Sequence, residues 1–565
     1  MPAAYKKIVA TLTAESGPFA VQNTDIGGKP FRVFAHAPRN LNVLFARAEA
    51  QFSDLDLVDD NGKRWTYKDI FARAKKLAGA LQNEFGISAG DNIGLVMSNQ
   101  ADWITGFLAI TWVGGVAVLF NSRGTLDELA HATGTVECAV IIADARRASL
   151  LIEAGVIARL IIGGLGETAA APAISIDALM QHAPAERADV APDAPAAILF
   201  TSGTTGRPRG AVLTHRNLTN MAVNLQLMEA AGLTLISDNM GVPLDALQQM
   251  MPRKSIFLVF PFFHISGITN LITAVQSGGM LCMIPRWRSE VALELIAANK
   301  VTMISGPPLV IADLLEWPDA ADKMASINSI AIGGQATPAS IVSRISRMLP
   351  MAGQSSGWGM TEVSGSISAA AGAVFAAQPG SCGLLSPLGD LRVVDEMGHD
   401  VPQGATGEIW LRSALVMQKY WGAPEATAAT FEGEWYKTGD IGLVDEEGFI
   451  FLVDRKRDMV ISGGENIYCA EVERALSADE ALAEISIFGV PDPRLGERAI
   501  AAITLREGCE RSEEDVKALA RKTLAEYKIP AAVVFDLGPF PRNATGKVNK
   551  LKLRAAYLER LVESF

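Results

Sequence analysis

Between positions 201 and 210 the chain reads Thr-Ser-Gly-Thr-Thr-Gly-Arg-Pro-Arg-Gly, three glycines and four hydroxyls in ten residues. Glycine reaches backbone conformations closed to other residues, so successive amide N–H groups can turn toward one point. A nest of amides assisted by hydroxyl donors binds an anion such as phosphate. The apolar run 197–200 directly before it reads as a short strand that would deliver the loop. The spacing is not GxxxxGK[ST], so this is not the usual nucleotide P-loop. Taken alone, the run also reads as an ordinary Ser/Thr/Gly surface loop.

Four further strings follow it. They are Trp358-Gly-Met-Thr-Glu362, Tyr436-Lys-Thr-Gly-Asp440, Asp454-Arg-Lys-Arg-Asp458 with Ser462-Gly-Gly-Glu-Asn466, and Pro541-Arg-Asn-Ala-Thr-Gly-Lys547. In this order, from about residue 40 to about residue 554, the set resembles the adenylate-forming superfamily of acyl-CoA synthetases, luciferases and peptide-synthetase adenylation domains. Within it, the WGMTE form resembles the fatty-acid–CoA ligase group. That resemblance implies ATP, Mg²⁺ and, as co-substrate, CoA. A carboxylate is a poor electrophile because its leaving group is oxide. Attack on the α-phosphate of ATP gives an acyl-AMP and pyrophosphate, and a thiol then displaces AMP. The first step crowds negative charge, so positioning and electrostatic stabilisation should dominate catalysis.

The resemblance also assigns roles. Thr201, Ser202, Gly203, Thr204, Thr205 and Gly206 are expected at the β- and γ-phosphates, and Thr361 at the α-phosphate. Glu362 is expected to bind Mg²⁺, which takes few carboxylates beside phosphate oxygens. Trp358, where the family commonly has Tyr, keeps a π-face for adenine. Gly359 and Met360 follow it in the same string, and Gly333, Gly334 and Gln335 resemble a second adenine-side segment. Asp440 is expected to accept both ribose hydroxyls, with Arg455 assisting. Lys547 is the expected catalytic lysine, and Arg457 occupies the hinge position. Ser462, Gly463, Gly464 and Glu465 are expected to line the thiol channel after domain rotation. Three departures stand out: Arg209 replaces the usual Lys of the phosphate loop, Lys550 replaces an Arg, and Pro307-Pro-Leu-Val310 lacks a Thr.

Pro261-Phe-Phe-His-Ile-Ser-Gly267 resembles the family's aromatic–His segment at the acyl pocket, with His264 as gate. Phe263, Gly267, Pro308 and Gly357 are its other expected lining residues. Amino-acid-activating relatives carry an Asp after Phe here, and Phe263-His264 replaces it, so an amino acid substrate is not expected. The segments 264–267, 305–310, 333–337 and 357–360 contain no Lys, Arg, Asp or Glu. An unpaired buried charge is costly, so the acid's tail should be apolar: a medium- to long-chain fatty or arylalkanoic acid. Three readings compete. The first is a CoA ligase. The second is an acyl-AMP ligase that loads a carrier-protein phosphopantetheine, or a luciferase-like oxygenase. The third is a catalytically silent binding protein, against which intact Glu362, Asp440 and Lys547 argue.

The elements that must hold these residues are legible in outline. At 565 residues the chain is too long for one ordinary core. Its 49% hydrophobic and 20% charged residues are those of a folded enzyme, not a disordered chain. The net charge of −12 disfavours nucleic-acid backbones as partners. Small molecules are the expected partners, and a homodimer is left open. Amphipathic helix at 65–85 and short apolar strands at 92–97, 160–162 and 197–200 alternate, which predicts α/β layers with largely parallel sheets. The apolar stretch 106–120 is too short to span a membrane, and Gly114-Gly115 splits it into a buried helix and a buried strand. From about 383 short strands separated by turns predict a β-subdomain. After 454 a helix (470–477), two strands (483–490 and 498–505) and a helix (513–525) predict a compact α+β unit. The expected organisation is a large N-terminal domain, 1–453, with a β-rich part at about 383–453, and a small mobile C-terminal domain, 454–565. The stretch 227–255, rich in Met, Asn, Pro and Gln, reads as a surface excursion or as an amphipathic segment at 244–251. Five scattered cysteines form no CxxC pair and are expected to be buried hydrophobes. No signal peptide is expected, and the location expected is cytoplasmic.

Overall fold

Runs of consecutive apolar residues become strands buried on both faces, which is what a parallel sheet covered by helices requires. In the computed structural model, which describes residues 2–156, 158–164, 173–201, 208–333, 339–542 and 547–563, Val116–Leu119 and Val140–Ala143 are buried at every position. Among the described residues one sheet runs in the order Lys419–Tyr420, Arg209–Thr214, Pro195–Thr201, Val116–Leu119, Asn92–Val96, Val140–Ala143, Arg159–Ile162, Ile174–Ser175. Its pairs are parallel from Pro195–Thr201 to Ile174–Ser175 and antiparallel on the other side. A second sheet has Ser255–Leu258, Met303–Gly306, Ser329–Ile332 and Gly353–Met360 as parallel neighbours, with Met280–Met283 on the other side of Ser255–Leu258. This is the α/β class expected.

The stretch 106–120 resolves as predicted into the helix Ala101–Trp112 and the strand Val116–Leu119. Gly114 joins them at φ +77°, and a Cβ there would come within 2.9 Å of Val190, so both backbone and space require glycine. The helix expected at 65–85 is Tyr67–Asn83, preceded by a short strand, Lys63–Thr66. The reading of 227–255 as an excursion is overturned for its first part, 227–240. Residues up to Met240 continue a 26-residue helix, His215–Met240, that buries Leu227, Ala231 and Leu235 at helical spacing. The helix runs through Gly232 and ends only at Gly241, which takes the left-handed conformation at φ +65°. The following helix, Leu244–Met250, buries none of its residues fully, but Leu244, Ala246 and Leu247 are half-buried while Asp245, Gln248 and Gln249 are exposed, the amphipathic pattern expected. Cys282 and Cys469 are buried as expected, whereas Cys138, Cys382 and Cys509 are only partly so.

The chain divides into two compact units, the first of 1–333, 340–390 and 412–436, the second mainly of 391–411 and 437–565. The second unit takes in part of the β-rich stretch that the sequence reading placed in the first domain. Its α+β portion pairs Leu482–Asp492 with Gly496–Leu505 as antiparallel neighbours, and Ala532–Val534 lies parallel to the latter. Alternation sorts the side chains. Ile487, Ala499, Ala501 and Ile503 pack with Cys469, Val472, Leu476 and Val516, while Phe488, Val490, Ile500 and Ala502 pack with Leu553 and Tyr557. Helices Cys469–Leu476 and Glu513–Arg521 therefore cover one face and Lys550–Glu563 the other. Among the described residues no helix is long and apolar enough to cross a membrane.

The long helix His215–Met240 begins where the strand Arg209–Thr214 ends. Thr214 accepts from the Asn217 amide, and Asn217 Oδ1 accepts from the Thr214 amide at 2.8 Å. Replacing such a cap by alanine costs about 1–2 kcal/mol. Thr214→Ala should lower the thermal midpoint by a few degrees while Thr214→Ser should not; calorimetry of both variants checks it, and equal midpoints for all three proteins would refute the cap's contribution.

Candidate active site

A two-strand edge builds the first part of the site. Gly353–Met360 pairs with Gly365–Ala371, and the chain reverses between them through a short 3₁₀ turn, Thr361–Val363. The reversal is strained: Ser364, which is not glycine, sits at φ +60°, followed by Gly365 at φ +113°. Ser364 Oγ donates to the Leu415 carbonyl at 2.8 Å, which helps to hold it there. The turn fixes Thr361, which is buried, and Glu362, which is half-buried. Gly359 is required by packing, since a Cβ would lie 1.7 Å from the Gly365 carbonyl oxygen. Trp358 is 3% exposed, so the ring proposed for adenine is enclosed by protein atoms. The Tyr436 hydroxyl lies 3.4 Å from the Met360 sulfur.

Glu362 has a partner that sequence reasoning missed. The Tyr420 hydroxyl donates to its Oε1 at 2.8 Å, and its own carbonyl accepts from the Met417 amide at 2.7 Å. Burial pushes the Tyr420 hydroxyl above the ordinary tyrosine range, and the Glu362 charge adds to this. Among the described residues no cluster of three or more His, Cys, Asp or Glu could hold a metal. A lone carboxylate with one oxygen engaged fits Mg²⁺, which completes its shell with phosphate and water oxygens rather than an all-protein cage.

The flanks of the phosphate loop are described; its centre is not. Thr201 ends the strand Pro195–Thr201 and pairs across the sheet with Arg209. The Arg209 guanidinium lies 5.8 Å from the centre of the Tyr420 ring, a contact that the more compact Lys ammonium would make differently. Ser202, Gly203, Thr204, Thr205 and Gly206 lie outside the described residues, as do Gly334, Gln335, Thr545 and Gly546. Gly333 ends the strand Ser329–Ile332 and donates its amide to Gly306 at 3.2 Å.

The expected acyl segment follows the strand Ser255–Leu258. Phe260, Phe262 and Phe263 are buried, and Phe262 stacks on Trp103 with ring centres 4.5 Å apart. His264 caps the helix Ile265–Ser277, its Nδ1 accepting from the Ser266 amide at 3.3 Å, and its ring stacks on Phe260 at 6.1 Å. Gly267 packs onto the Pro261 carbonyl, where a Cβ would come within 2.2 Å, so close backbone approach explains it. Pro308 opens the helix Pro308–Leu315 after the strand Met303–Gly306. Gly357 is exposed. A second missed residue is Asn99, whose amide donates to the Phe260 carbonyl while its Oδ1 accepts from the Phe262 amide, both at 2.9 Å. A polar residue just past the strand Asn92–Val96 was its only trace in the sequence.

The second unit gathers the remaining candidates. Asp440 and Arg455, read separately from two strings, stand directly opposite on neighbouring antiparallel strands and form an ion pair at 2.5 Å. Asp440 is 2% exposed, and its backbone is set by Gly439 at φ +70° and by a bond from its amide to Thr438 Oγ1. Arg457 lies exposed in the turn between Ile450–Arg455 and Val460–Ser462, with Asp458 3.6 Å away. Ser462 and Glu465 pair across a two-residue hairpin whose loop, Gly463 and Gly464, has φ +60° and +87°. Such a turn needs positive φ at both positions, so the fold itself calls for the two glycines. Lys547 has its ammonium lowered to about 8, first by desolvation, then by the neighbouring Arg455 and Arg457 charges, with Asp440 opposing. Much of the Lys547 residue is exposed, so this environment is intermediate between water and a sealed interior. Lys550 is tied to Glu473 at 2.7 Å, which accounts for a cation at that position without a role at the reacting atoms.

Residues 45–421 match the family described as AMP-binding enzyme, and residues 471–547 match the AMP-binding enzyme C-terminal domain. The chain is 31% identical to feruloyl-CoA synthase of an Amycolatopsis species, covering 88% of this chain and 95% of that one. It is 28% identical to a long-chain-fatty-acid–CoA ligase of Bacillus subtilis (strain 168), covering 91% and 94%. Among solved structures it resembles the o-succinylbenzoate CoA synthetase of Bacillus subtilis bound to its acyl-adenylate intermediate, with a TM-score of 0.75 at 26% identity over 90% of this chain and 97% of that one. The same synthetase with ATP and a magnesium ion superposes with a TM-score of 0.74 at 26% identity, covering 90% and 99%. Matched over both parts and carrying the strings named above, the chain belongs to the AMP-binding enzyme family of adenylate-forming acid–thiol ligases.

Proposed function

We propose that this ligase activates an apolar carboxylic acid, a medium- to long-chain fatty acid or an arylalkanoate, and transfers it to CoA. The observation that carries the reading is the buried, charge-free aromatic segment Phe260–Phe263, in which Phe262 stacks on Trp103 and Phe260 on His264. A charged substituent on the acid would find no counter-ion there and would lose its hydration. Relatives named for feruloyl-CoA, long-chain fatty acids and 2-succinylbenzoate agree with an acid of substantial carbon skeleton.

In this reading the acid's carboxylate oxygen attacks the α-phosphorus of ATP, and pyrophosphate leaves. The CoA thiol then attacks the acyl carbon, loses its proton, and AMP leaves. Thr361 binds the α-phosphate and the loop 201–206 the β- and γ-phosphates. Glu362 would hold Mg²⁺, which offsets phosphate charge when bound. Asp440 accepts from the ribose while Arg455 anchors its carboxylate. The Lys547 ammonium offsets charge between the attacking carboxylate and the α-phosphate. Residues 454–565 then rotate about Arg457, bringing Ser462–Glu465 to the thiol. The expected location is the cytoplasm.

Pyrophosphate release with ATP, Mg²⁺ and a panel of fatty and aryl acids, with and without CoA, tests the reading. Turnover that requires CoA and yields acyl-CoA in mass spectra supports it; acyl-AMP that accumulates and ignores CoA would point to a carrier-protein acceptor. Lys547→Ala should slow acyl-AMP formation by about 100-fold or more while sparing thiolysis of supplied acyl-AMP, and equal losses in both would reject the role. The lysine is charged below its pKa, so the adenylation rate should be high at neutral pH and fall as pH rises through about 8. Lys547→Arg, which stays charged, should remove that fall; single-turnover pH profiles of both enzymes decide. Proline fixes φ, so Arg457→Pro should leave adenylation intact and slow thioester formation; unchanged overall turnover would count against the hinge.

A further inference from the structure

Tyr420 reaches Glu362 from a strand that belongs to the phosphate-binding side of the first unit. It lies in Lys419–Tyr420, where its Cα pairs with Ala211 on Arg209–Thr214, the strand that leaves the phosphate loop. Its amide donates to Thr427 Oγ1 at 3.0 Å, and the residue is 8% exposed. The Tyr436 side chain, itself buried, hydrogen-bonds the same hydroxyl. The backbone, the ring and the hydroxyl of Tyr420 are thus each fixed by a separate neighbour, and the fixed hydroxyl donates to Oε1 of Glu362 at 2.8 Å.

We propose that Tyr420 is the positioning residue of the metal-binding carboxylate: by holding Oε1 it keeps Oε2 as the oxygen that meets the Mg²⁺ carried by ATP. The inference rests on the reading of Glu362 as that carboxylate. Two physical points favour a tyrosine here. A lone ligand with three side-chain torsions loses conformational freedom when it binds, and a prior hydrogen bond removes part of that loss beforehand. A cationic donor would orient the carboxylate equally well but would cancel the charge that attracts the metal, whereas a neutral hydroxyl leaves it in place.

The same contact links two parts of the nucleotide site. Arg209, at the exit of the phosphate loop, lies over the ring whose hydroxyl holds Glu362. A shift of the strand Arg209–Thr214 would therefore be felt at the metal-binding carboxylate through one side chain.

Tyr420→Phe removes the hydroxyl and keeps the ring. Calorimetric titration with ATP, once with Mg²⁺ and once with EDTA, should show affinity about tenfold weaker with Mg²⁺ and unchanged with EDTA, the order expected for one lost bond to a charged group. Glu362→Gln should abolish most of the Mg²⁺ enhancement, and the double variant should be no worse than Glu362→Gln alone. Displacement of free Mn²⁺ signal in electron paramagnetic resonance gives an independent count of bound metal. Equal weakening of Tyr420→Phe in Mg²⁺ and in EDTA would show a general packing role and overturn the proposal, as would wild-type affinity in both. A fold defect lowers metal-free binding too, so the EDTA arm separates it from a positioning effect. If Glu362→Gln keeps the full Mg²⁺ enhancement, the fault lies in the reading of Glu362 itself.

Discussion

A parallel strand buried on both faces has no side chain to offer a substrate along its length, so chemistry is confined to where strands end. The first unit follows this constraint closely. Thr201 closes Pro195–Thr201, the Phe260–His264 segment follows Ser255–Leu258, Pro308 follows Met303–Gly306, Gly333 follows Ser329–Ile332, and Thr361 with Glu362 follows Gly353–Met360. Four of these strands are consecutive neighbours in one sheet, so their carboxyl ends form a row. Candidates for binding the acid, the adenine and the metal then lie near one another although they are separated by up to a hundred positions in sequence.

The second unit solves a different problem, the placement of charges. Asp440 is almost wholly buried, and its bonded Arg455 balances it while remaining 40% exposed at the side chain. A buried carboxylate without such a partner would be costly, and with it the carboxylate persists as an acceptor. Arg455 and Arg457 act in the opposite sense on Lys547, lowering its affinity for a proton. One cluster thus pairs a buried acid with an arginine and weakens the hold of a lysine on its proton.

Much of this was legible in the sequence because the motifs are local. The strand before residue 201 and the helices and strands after 454 depend on residues adjacent in the chain, and each lies close to where it was read. Pairings between distant segments were not legible. Nothing in the sequence near Tyr420 announces Glu362, and nothing near Asn99 announces the Phe260–Phe262 backbone, since both contacts arise only when strands from separate segments are brought alongside. The misread stretch 227–240 has the same origin in part. Its apolar stripe is interrupted by Glu229, Gly232, Thr234 and Asp238, and burial of Leu227, Ala231 and Leu235 came from tertiary packing that no local count reveals.

The paired strands Leu482–Asp492 and Gly496–Leu505 send neighbouring side chains into two separate cores. The buried residues there are addressed by parity, odd positions 487, 499, 501 and 503 to one core and even positions 488, 490, 500 and 502 to the other. A conservative substitution changes the volume at one address, whereas a one-residue deletion reassigns every address beyond it at once. Evolutionary drift in this small sheet is accordingly free in spelling and closed in length, with indels left to the turns that bound it.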